Sequence, residues 1–267
     1  MIRGFWKSRL VFDGICVLTL SLSVALWIRD RNYQIYIPIV ASVLMLGIGY
    51  SAAVLAGNLV ANQENTKYLG ILHVDLDPVR FVEAYGPAVD RLNKNSRDYA
   101  ICCTYLADGY AAAGDYVKAA ETLVPRFESK KGDDYAMMGQ YYSNLAGYAL
   151  NGENVAQARE AMEMLQNVID ICESTNPGLA GNLTISLRLH RNRLAALEGE
   201  AAETQWLGEM FEDAKYVIRR MEIAKTLAMD AVNRGDKNTA ADYLKKIHRE
   251  AGKSCYKSWA SRMENRL

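Results

Sequence analysis

The sequence predicts an all-α protein in which a two-helix transmembrane hairpin precedes an α-solenoid of antiparallel helix pairs. Three observations predict this class. Two long apolar stretches stand back to back near the N-terminus, the remaining chain has helical periodicity, and short Gly/Asp breaks interrupt it at intervals. The 267 residues leave room for one sizeable domain beside a membrane segment. We therefore assign residues 1–62 to the hairpin and residues 63–267 to the helical domain.

The first apolar stretch, residues 10–28, is long enough to cross a bilayer as one helix. Its single charge, Asp13, lies within about one turn of its start. At 1.5 Å per residue, about 19 residues span roughly 28 Å, which is close to the hydrocarbon thickness of a membrane. Trp6 and Trp27 flank the stretch, at the depth where a bilayer accommodates amphipathic rings.

The second apolar stretch, residues 33–61, carries no charge, and only residues 29–32 separate it from the first. A connection this short predicts a helical hairpin. Each helix also offers a stripe of small residues through which two backbones can approach closely. These residues are Gly49, Ala53 and Gly57 on the second helix, and Ser21 and Ala25 on the first.

Flanking cations predict the orientation of the hairpin. They are Arg3, Lys7 and Arg9 before the first helix, Arg29 and Arg31 in the turn, and Lys67 after the second helix. The positive-inside bias favours both outer ends in the cytoplasm, so we expect a multi-pass protein of the cell membrane with a cytosolic C-terminal domain. The alternative is a cleaved signal peptide, since a basic start and Ser23-Val24-Ala25 are present; the domain would then lie outside. Asp13 fits poorly in the apolar core of such a peptide.

The bulk composition argues against two classes of function. Lys+Arg and Asp+Glu both number 31, so no field of one sign covers the chain, and we expect no nucleic-acid partner. The five cysteines are odd in number and lack CxxC spacing, which predicts reduced thiols. Adjacent Cys102 and Cys103 point in different directions on a helix, so we expect them to fill the core rather than bind a metal.

No catalytic or cofactor-binding constellation can be assembled from the sequence. His73, His190 and His248 lie far apart, without the spacing of a metal or catalytic pair. Asp75-Leu76-Asp77 could hold a divalent cation, but Asp77 before Pro78 better fits the N-cap of a helix with proline at its first position. We predict that the protein is not an enzyme and binds no cofactor or metal.

A repeated motif predicts the helix pairs. In one copy, its positions are Leu106, Ala107, Tyr110, Gly114, Asp115, Tyr116, Ala119 and Leu123; in another, Leu227, Ala228, Ala231, Gly235, Asp236, Ala240 and Leu244. A looser copy with Tyr148, Gly152 and Ala158 is one residue out of register after its turn. Small residues let two helices approach, and the Gly-Asp pair makes the turn. Between residues 194 and 206 we predict helices without repeat register, because the pattern would bury Arg188 and Arg191.

The first copy closely resembles the tetratricopeptide repeat (TPR). Over nearly its whole length the chain also resembles an uncharacterised group of Gram-positive bacterial membrane proteins that combine N-terminal transmembrane helices with a degenerate TPR-like domain. Residues 73–81, 112–116 and 235–244 carry this resemblance. The resemblance implies a TPR-like solenoid and brings no biochemical activity with it.

In TPR domains the first helix of each pair lines a concave binding surface. Carried onto the two clear copies, those positions are Ile101, Thr104, Asp108 and Ala111, and then Glu222, Lys225, Met229 and Val232. We predict that Thr104, Asp108, Lys225 and Met229 contact a protein partner. The first set lacks the Lys/Asn pair by which chaperone-binding members hold a peptide carboxylate, which implies a different ligand.

Two hypotheses for function follow. The first is a membrane-anchored TPR-like interaction scaffold or adaptor at the cytoplasmic face. The alternative is an accessory or regulatory subunit of a membrane complex, with the hairpin as its contact. Basic residues crowd two helices, at residues 188–193 and 245–257, and a solvated helix face is the expectation for both. Contact with anionic headgroups or an acidic partner is the alternative there.

Overall fold

The computed structural model describes residues 4–29, 36–125 and 132–266, and every regular element within these ranges is an α-helix. The prediction of an all-α chain is therefore confirmed for the described residues. The helices are α1 (Trp6–Arg29), α2 (Tyr36–His73), α3 (Pro78–Asp90), α4 (Arg97–Ala113), α5 (Tyr116–Thr122), α6 (Gly132–Asn151), α7 (Val155–Thr175), α8 (Pro177–Glu198), α9 (Thr204–Asp213), α10 (Val217–Asn233), α11 (Lys237–Glu250) and α12 (Cys255–Glu264). Most of the turn predicted at residues 29–32 lies outside the described residues, as do Arg3 and the predicted start of the second helix at residue 33.

The chain forms two compact units, which we describe separately. The hairpin unit comprises Met1–Tyr68 together with Ala84–Tyr99. The helical unit comprises Leu69–Glu83 together with Ala100–Leu267.

In the hairpin unit, α1 and the Ile39–His73 part of α2 are long and apolar enough to cross a membrane. Their large apolar side chains point outward. Exposed examples are Leu18, Leu20 and Leu22 on α1, and Leu44, Ile48 and Leu55 on α2. A core helix of a soluble protein buries such side chains, so packing inside the protein does not account for the apolar character of these two helices.

The buried residues between α1 and α2, here named the hairpin seam, are small or polar. They are Ser8, Thr19 and Ser23 on α1, and Gly49, Ala53 and Gly57 on α2. A Cβ at Gly49 would collide with the Thr19 side chain, and the Ser8 hydroxyl donates a hydrogen bond to the Gly57 carbonyl oxygen at 2.6 Å. The small stripe of α2 thus faces α1. The small face predicted on α1 was wrong, because Ser21 and Ala25 are exposed while Thr19 and Ser23 lie in the seam.

An aromatic cluster in the hairpin unit joins the start of α1 to the later part of α2 and to α3. The rings of Phe5 and Tyr68 lie 6.0 Å apart, and those of Tyr68 and Tyr85 lie 5.8 Å apart. The Tyr85 hydroxyl donates to Asn65 Oδ1 at 2.8 Å. Through these contacts the polar part of α2 that follows Ala61, with Asn65 and Tyr68, packs on Phe5 and Tyr85. The contacts explain why the helix continues to His73, past the end at Ala61 that its apolar stretch predicts.

In the helical unit, consecutive helices pack on each other and alternate ones are neighbours. The contacts between successive helices include α5 with α6, α6 with α7, α7 with α8, α9 with α10, α10 with α11, and α11 with α12. The even-numbered helices α6, α8, α10 and α12 also contact one another in series. Large apolar side chains such as Leu165, Leu187 and Leu244 fill the space between the helices.

Four turns in this unit have the same backbone geometry. In each, one residue takes a left-handed conformation, and the N–H of the next residue donates to the carbonyl five positions earlier. The left-handed residues are Gly114, Glu153, Gly199 and Gly235. In three of the turns the residue that follows, Asp115, Asn154 or Asp236, caps the next helix by accepting from the backbone N–H three positions on. The Gly-Asp turns predicted at residues 114 and 235 are confirmed.

The turn between α6 and α7 explains the looser motif copy. Here the left-handed residue is Glu153, with φ of 58°, and not Gly152. The next helix, α7, therefore begins three residues after the motif glycine, whereas α5 and α11 begin two residues after theirs. This extra residue in the turn accounts for the register shift seen in the sequence. The turn at Gly199, where we predicted no register, shares the same geometry: the Glu200 N–H donates to the Ala195 carbonyl oxygen at 2.8 Å.

The two ends of the helical unit meet. The Lys253 N–H donates to the Leu76 carbonyl oxygen at 2.9 Å, and Lys253 Nζ lies 2.6 Å from Asp77 Oδ2. The hydrogen bond from Lys253 holds the pKa of the Asp77 carboxyl below its usual value. Asp77 also caps α3 by accepting from the Arg80 N–H at 3.3 Å, so the cap predicted from Asp77-Pro78 is confirmed.

Candidate binding site on the inner helices

Two of the predicted contact residues, Thr104 and Asp108, lie one turn apart on α4 and line the same cavity. Its volume is about 330 Å³, at the lower end of the range typical of ligand pockets. The lining residues are Ala100, Ile101, Thr104, Tyr105 and Asp108 of α4, Val124 after α5, and Ala136, Met137, Gln140 and Tyr141 of α6. Most of this lining is apolar or aromatic. The cavity therefore offers an apolar occupant a fitting surface with a few polar contacts.

Asp108 is the one carboxylate among these lining residues. The Tyr148 hydroxyl donates to Asp108 Oδ1 at 2.6 Å. The pKa of the Asp108 carboxyl is raised to about 7, mainly by burial and also by the nearby charge of Glu222, while the hydrogen bond from Tyr148 lowers it. Near neutral pH, Asp108 is consequently present in both its neutral and its charged form.

Two other polar side chains of the cavity, Thr104 and Gln140, have partners on their own helices. The Thr104 hydroxyl donates to the Ala100 carbonyl oxygen at 3.2 Å, and Gln140 Nε2 donates to Asn144 Oδ1 at 2.7 Å. Asp108 differs from them because its hydrogen bond crosses from α4 to α6. Ionisation of Asp108 therefore changes the net charge of the cavity.

The other two predicted contact residues, Lys225 and Met229 on α10, lie elsewhere. They line a small cavity of about 10 Å³, room for about one water molecule, together with Asn151 and Arg193. Lys225 is only 8% exposed; its Nζ lies 3.4 Å from Asn151 Oδ1 and 5.3 Å from the centre of the Trp259 ring. Burial lowers the pKa of Lys225 to about 8. Thr104 and Asp108 therefore line one cavity, and Lys225 and Met229 line another. The four predicted contact residues do not share a single site.

Beside Lys225 lies a buried polar cluster that links α6, α8 and α10. Arg193 Nη2 donates to the Gly147 carbonyl oxygen at 3.2 Å and to Asn151 Oδ1 at 2.9 Å. Arg193 Nη1 lies 3.4 Å from Glu222 Oε1, which completes an ion pair between a buried arginine and a partly buried glutamate. Two helices, α6 and α10, thus supply partners to the guanidinium group of α8, as a buried charge requires.

The expectation of a solvated basic face at residues 188–193 was wrong for two of its members. His190 and Arg193 are buried, whereas Arg188 and Arg191 are exposed. Arg188 pairs with Glu203, whose carboxyl pKa falls to about 2 because of that bond. The burial of His190 could have been predicted from the sequence. Leu187 and Leu194 lie three residues before it and four after it, which places the histidine on the apolar stripe of α8.

A serine–histidine contact in this region does not favour hydrolase chemistry. Ser143 Oγ and His190 Nε2 lie 3.0 Å apart. A general base must accept a proton, but burial and the charges of Arg193 and Arg219 hold the pKa of His190 well below its ordinary value. Its neighbours thus oppose the imidazolium that such a mechanism requires.

Metal and disulfide chemistry were the other possibilities for the cysteine, histidine and acidic side chains. Within them, no three His, Cys, Asp or Glu side chains lie close enough together to hold a metal ion. The five cysteines form no disulfide, and Cys102 and Cys103 are buried in α4, as expected of core residues.

Comparison of the chain with models of protein families, with curated proteins and with solved structures finds no match. The interpretation of the site therefore depends on the residues of this chain alone. The likeness to TPR domains and to Gram-positive membrane proteins stays a prediction.

Proposed function

We propose that this protein is a membrane-anchored interaction scaffold. In this proposal α1 and α2 cross the cell membrane, and the helical unit is a TPR-like solenoid in the cytoplasm that binds a protein partner. The observation that carries the proposal is the cavity between α4 and α6: its lining is largely apolar, and one carboxylate stands among the apolar groups. Such a combination suits recognition of an amphipathic side chain or segment.

The distribution of side chains in the hairpin supports the membrane assignment. Large apolar side chains cover its outside, and small or polar ones fill its seam, as expected when the surrounding solvent is hydrocarbon. Trp6 and Trp27 are 64% and 50% exposed, and the helix rise between them is about 32 Å. That distance matches the roughly 30 Å hydrocarbon layer, at whose edges tryptophan is enriched.

The order of helix contacts supports the TPR-like arrangement. A solenoid of helix pairs places the first helices of successive pairs side by side, and α6, α8, α10 and α12 are neighbours in this way. The shared geometry of the four turns is what a repeated helix pair would produce. The cytoplasmic location is supported by Lys7, Arg9 and Lys67, which flank the hairpin at its outer ends.

The alternative function, a subunit that contacts a membrane complex through the stripe of Gly49, Ala53 and Gly57, is less well supported. That stripe faces α1, and Gly49 has no room for even one added carbon against Thr19. A partner helix would need a different face of the hairpin.

Filling the cavity tests the proposal. Ala136 lines the cavity, so Ala136→Leu in the full-length protein should weaken partner capture from mild detergent extracts by about tenfold or more. Ala156 on α7 is exposed, and Ala156→Leu is the matched control that should leave capture unchanged. Helix content of both variants is checked by circular dichroism. Undiminished capture by a folded Ala136→Leu protein would show that the partner does not use this cavity.

A further inference from the structure

The walls of the α4–α6 cavity differ in charge from the rest of the molecule. Lysine and arginine together are as numerous as aspartate and glutamate in the chain, yet the described residues that line the cavity include one acid and no base. That acid, Asp108, accepts a hydrogen bond from the neutral Tyr148 hydroxyl. A second acid, Glu222, is close enough to influence it electrostatically, with the same sign of charge. Among the described residues that line it, the cavity therefore has an ionisable carboxyl group and no cationic side chain.

A cation in the cavity would stabilise the charged form of Asp108. An ionised carboxylate among apolar groups is costly unless an opposite charge lies within about 4–6 Å. Burial already raises the pKa of this carboxyl to about 7, so little free energy is needed to deprotonate it when a cation arrives. Tyr105 and Tyr141 also line the cavity, and tyrosine rings attract cations that stand over their faces.

We propose that this cavity binds one organic cation, an ammonium or guanidinium group on an apolar stem, with Asp108 as its counter-ion. The proposal rests on the proposed function in taking this cavity as the binding site. A volume of about 330 Å³ admits a single side chain or a small amine and not a whole helix. The stem contacts Ile101 and Met137 while the charged head faces the carboxylate. The same chemistry is found in a lysine or arginine side chain of a partner protein and in a free amine.

Calorimetric titration of the full-length protein in detergent at pH 8 tests the charge requirement. The probes are n-hexylammonium, n-hexanol and hexanoate, which share an apolar stem and differ in charge. We expect the ammonium to bind about tenfold or more tightly than the alcohol, and hexanoate to bind least. Asp108→Asn should remove the preference for the ammonium while leaving the weak binding of hexanol unchanged. Equal binding of hexylammonium and hexanol to the unaltered protein would overturn the proposal.

A matched variant separates the cavity from general charge attraction and from partition into detergent. Asp170 is an exposed carboxylate on α7, and Asp170→Asn removes the same charge away from the cavity. It should leave hexylammonium binding unchanged. If Asp170→Asn weakens binding as much as Asp108→Asn does, the attraction is not local to the cavity and the proposal fails.

Blocked peptides distinguish the two sources of the cation. Acetyl-Leu-Lys-Leu-amide that binds at least as tightly as hexylammonium, and loses binding when its lysine is replaced by norleucine, assigns the cavity to a partner's side chain. Binding of hexylammonium alone assigns it to a small amine; both results support the cation site. If neither cation binds while Ala136→Leu still abolishes partner capture, the scaffold function stands and the cation assignment is wrong.

Discussion

The hairpin seam between α1 and α2 and the core of the helical unit bury opposite kinds of side chain. The hairpin places serine, threonine and glycine at its seam and leucine outside, whereas the helical unit places leucine between its helices and most of its charges at the surface. Both units consist of α-helices, so backbone geometry does not explain the contrast. The membrane location that we propose for the hairpin accounts for the difference, because apolar side chains gain by leaving water and gain nothing by leaving hydrocarbon.

The two units also satisfy their buried polar groups differently. In the hairpin, Thr19 and Ser23 donate to carbonyl oxygens four residues earlier on the same helix, at 2.7 and 3.0 Å. In the helical unit, Arg193 and Glu222 bond across helices that are distant in the sequence. The bond from the Ser8 hydroxyl to the Gly57 carbonyl oxygen crosses from α1 to α2, but like the bonds within α1 it joins neutral groups. In the helical unit a charged group bonds across helices and fixes the relative positions of α6, α8 and α10.

The largest effect is expected from the cross-helix cluster. Arg193→Met removes a buried cation and leaves Glu222 and Asn151 without it, and breaking such a pair from one side costs about 3–5 kcal/mol. The free energy of unfolding is measured by denaturant titration of the full-length protein in detergent, followed by circular dichroism. Arg188→Met is the control: its ion pair with Glu203 is exposed, so its loss should be a small fraction of that at Arg193. Similar losses at both positions would mean that the buried cluster does not fix the helices.

The helix pairs and their turns could be predicted because their causes are local. A glycine that allows positive φ, followed by an aspartate that caps the next helix, lies within two residues at Gly114-Asp115 and at Gly235-Asp236. The turn at Glu153 has no such signal, because glutamate rarely takes a left-handed conformation. Gly152 in the looser motif copy predicted a turn there, but not that its neighbour Glu153 takes the left-handed conformation.

The candidate site could be predicted only in part. The face of α4 that carries Thr104 and Asp108 follows from the TPR-like resemblance, but the cavity exists because α6 lies opposite, and no local pattern specifies that distance. The burial of Arg193 likewise depends on the Gly147 carbonyl oxygen and on Asn151, more than forty residues earlier in the chain. Charged residues are mostly exposed, so an arginine is assigned to the surface until its partners are known.

An intermediate effect, dependent on pH, is expected at Asp108. Its pKa of about 7 in the folded protein lies above the value of 3.8 expected when unfolded. Between these values the folded state binds more protons than the unfolded state, so this group's contribution to stability falls as the pH rises from about 4 to about 7. At about 1.4 kcal/mol per pKa unit, the loss is at most about 4 kcal/mol, and less where water reaches the carboxylate.

Asp108→Asn isolates this contribution. The amide oxygen of asparagine can still accept from Tyr148, and the amide does not ionise. Thermal unfolding is followed from pH 5 to pH 8 for both proteins. The variant should gain stability relative to the unaltered protein as the pH rises. A constant difference between the two across this range would show that the carboxyl group titrates outside it.

The smallest effect is expected in the hairpin, where two glycines two residues apart on α2 test its inverted packing. Gly49 faces Thr19 in the seam, while a side chain at Gly47 would meet no protein atom within 4 Å. Gly49→Leu should overpack the seam and cost about 1–3 kcal/mol, whereas Gly47→Leu should be tolerated because it adds an apolar group to an apolar outer face. The measurement is the temperature at which half of the monodisperse protein is lost from detergent, with membrane insertion of each variant checked first. Equal losses would mean that Gly47 is covered as well. If Gly47→Leu leaves the protein intact but prevents partner capture, the outer face of the hairpin is a contact surface, and the subunit function would replace the scaffold proposed here.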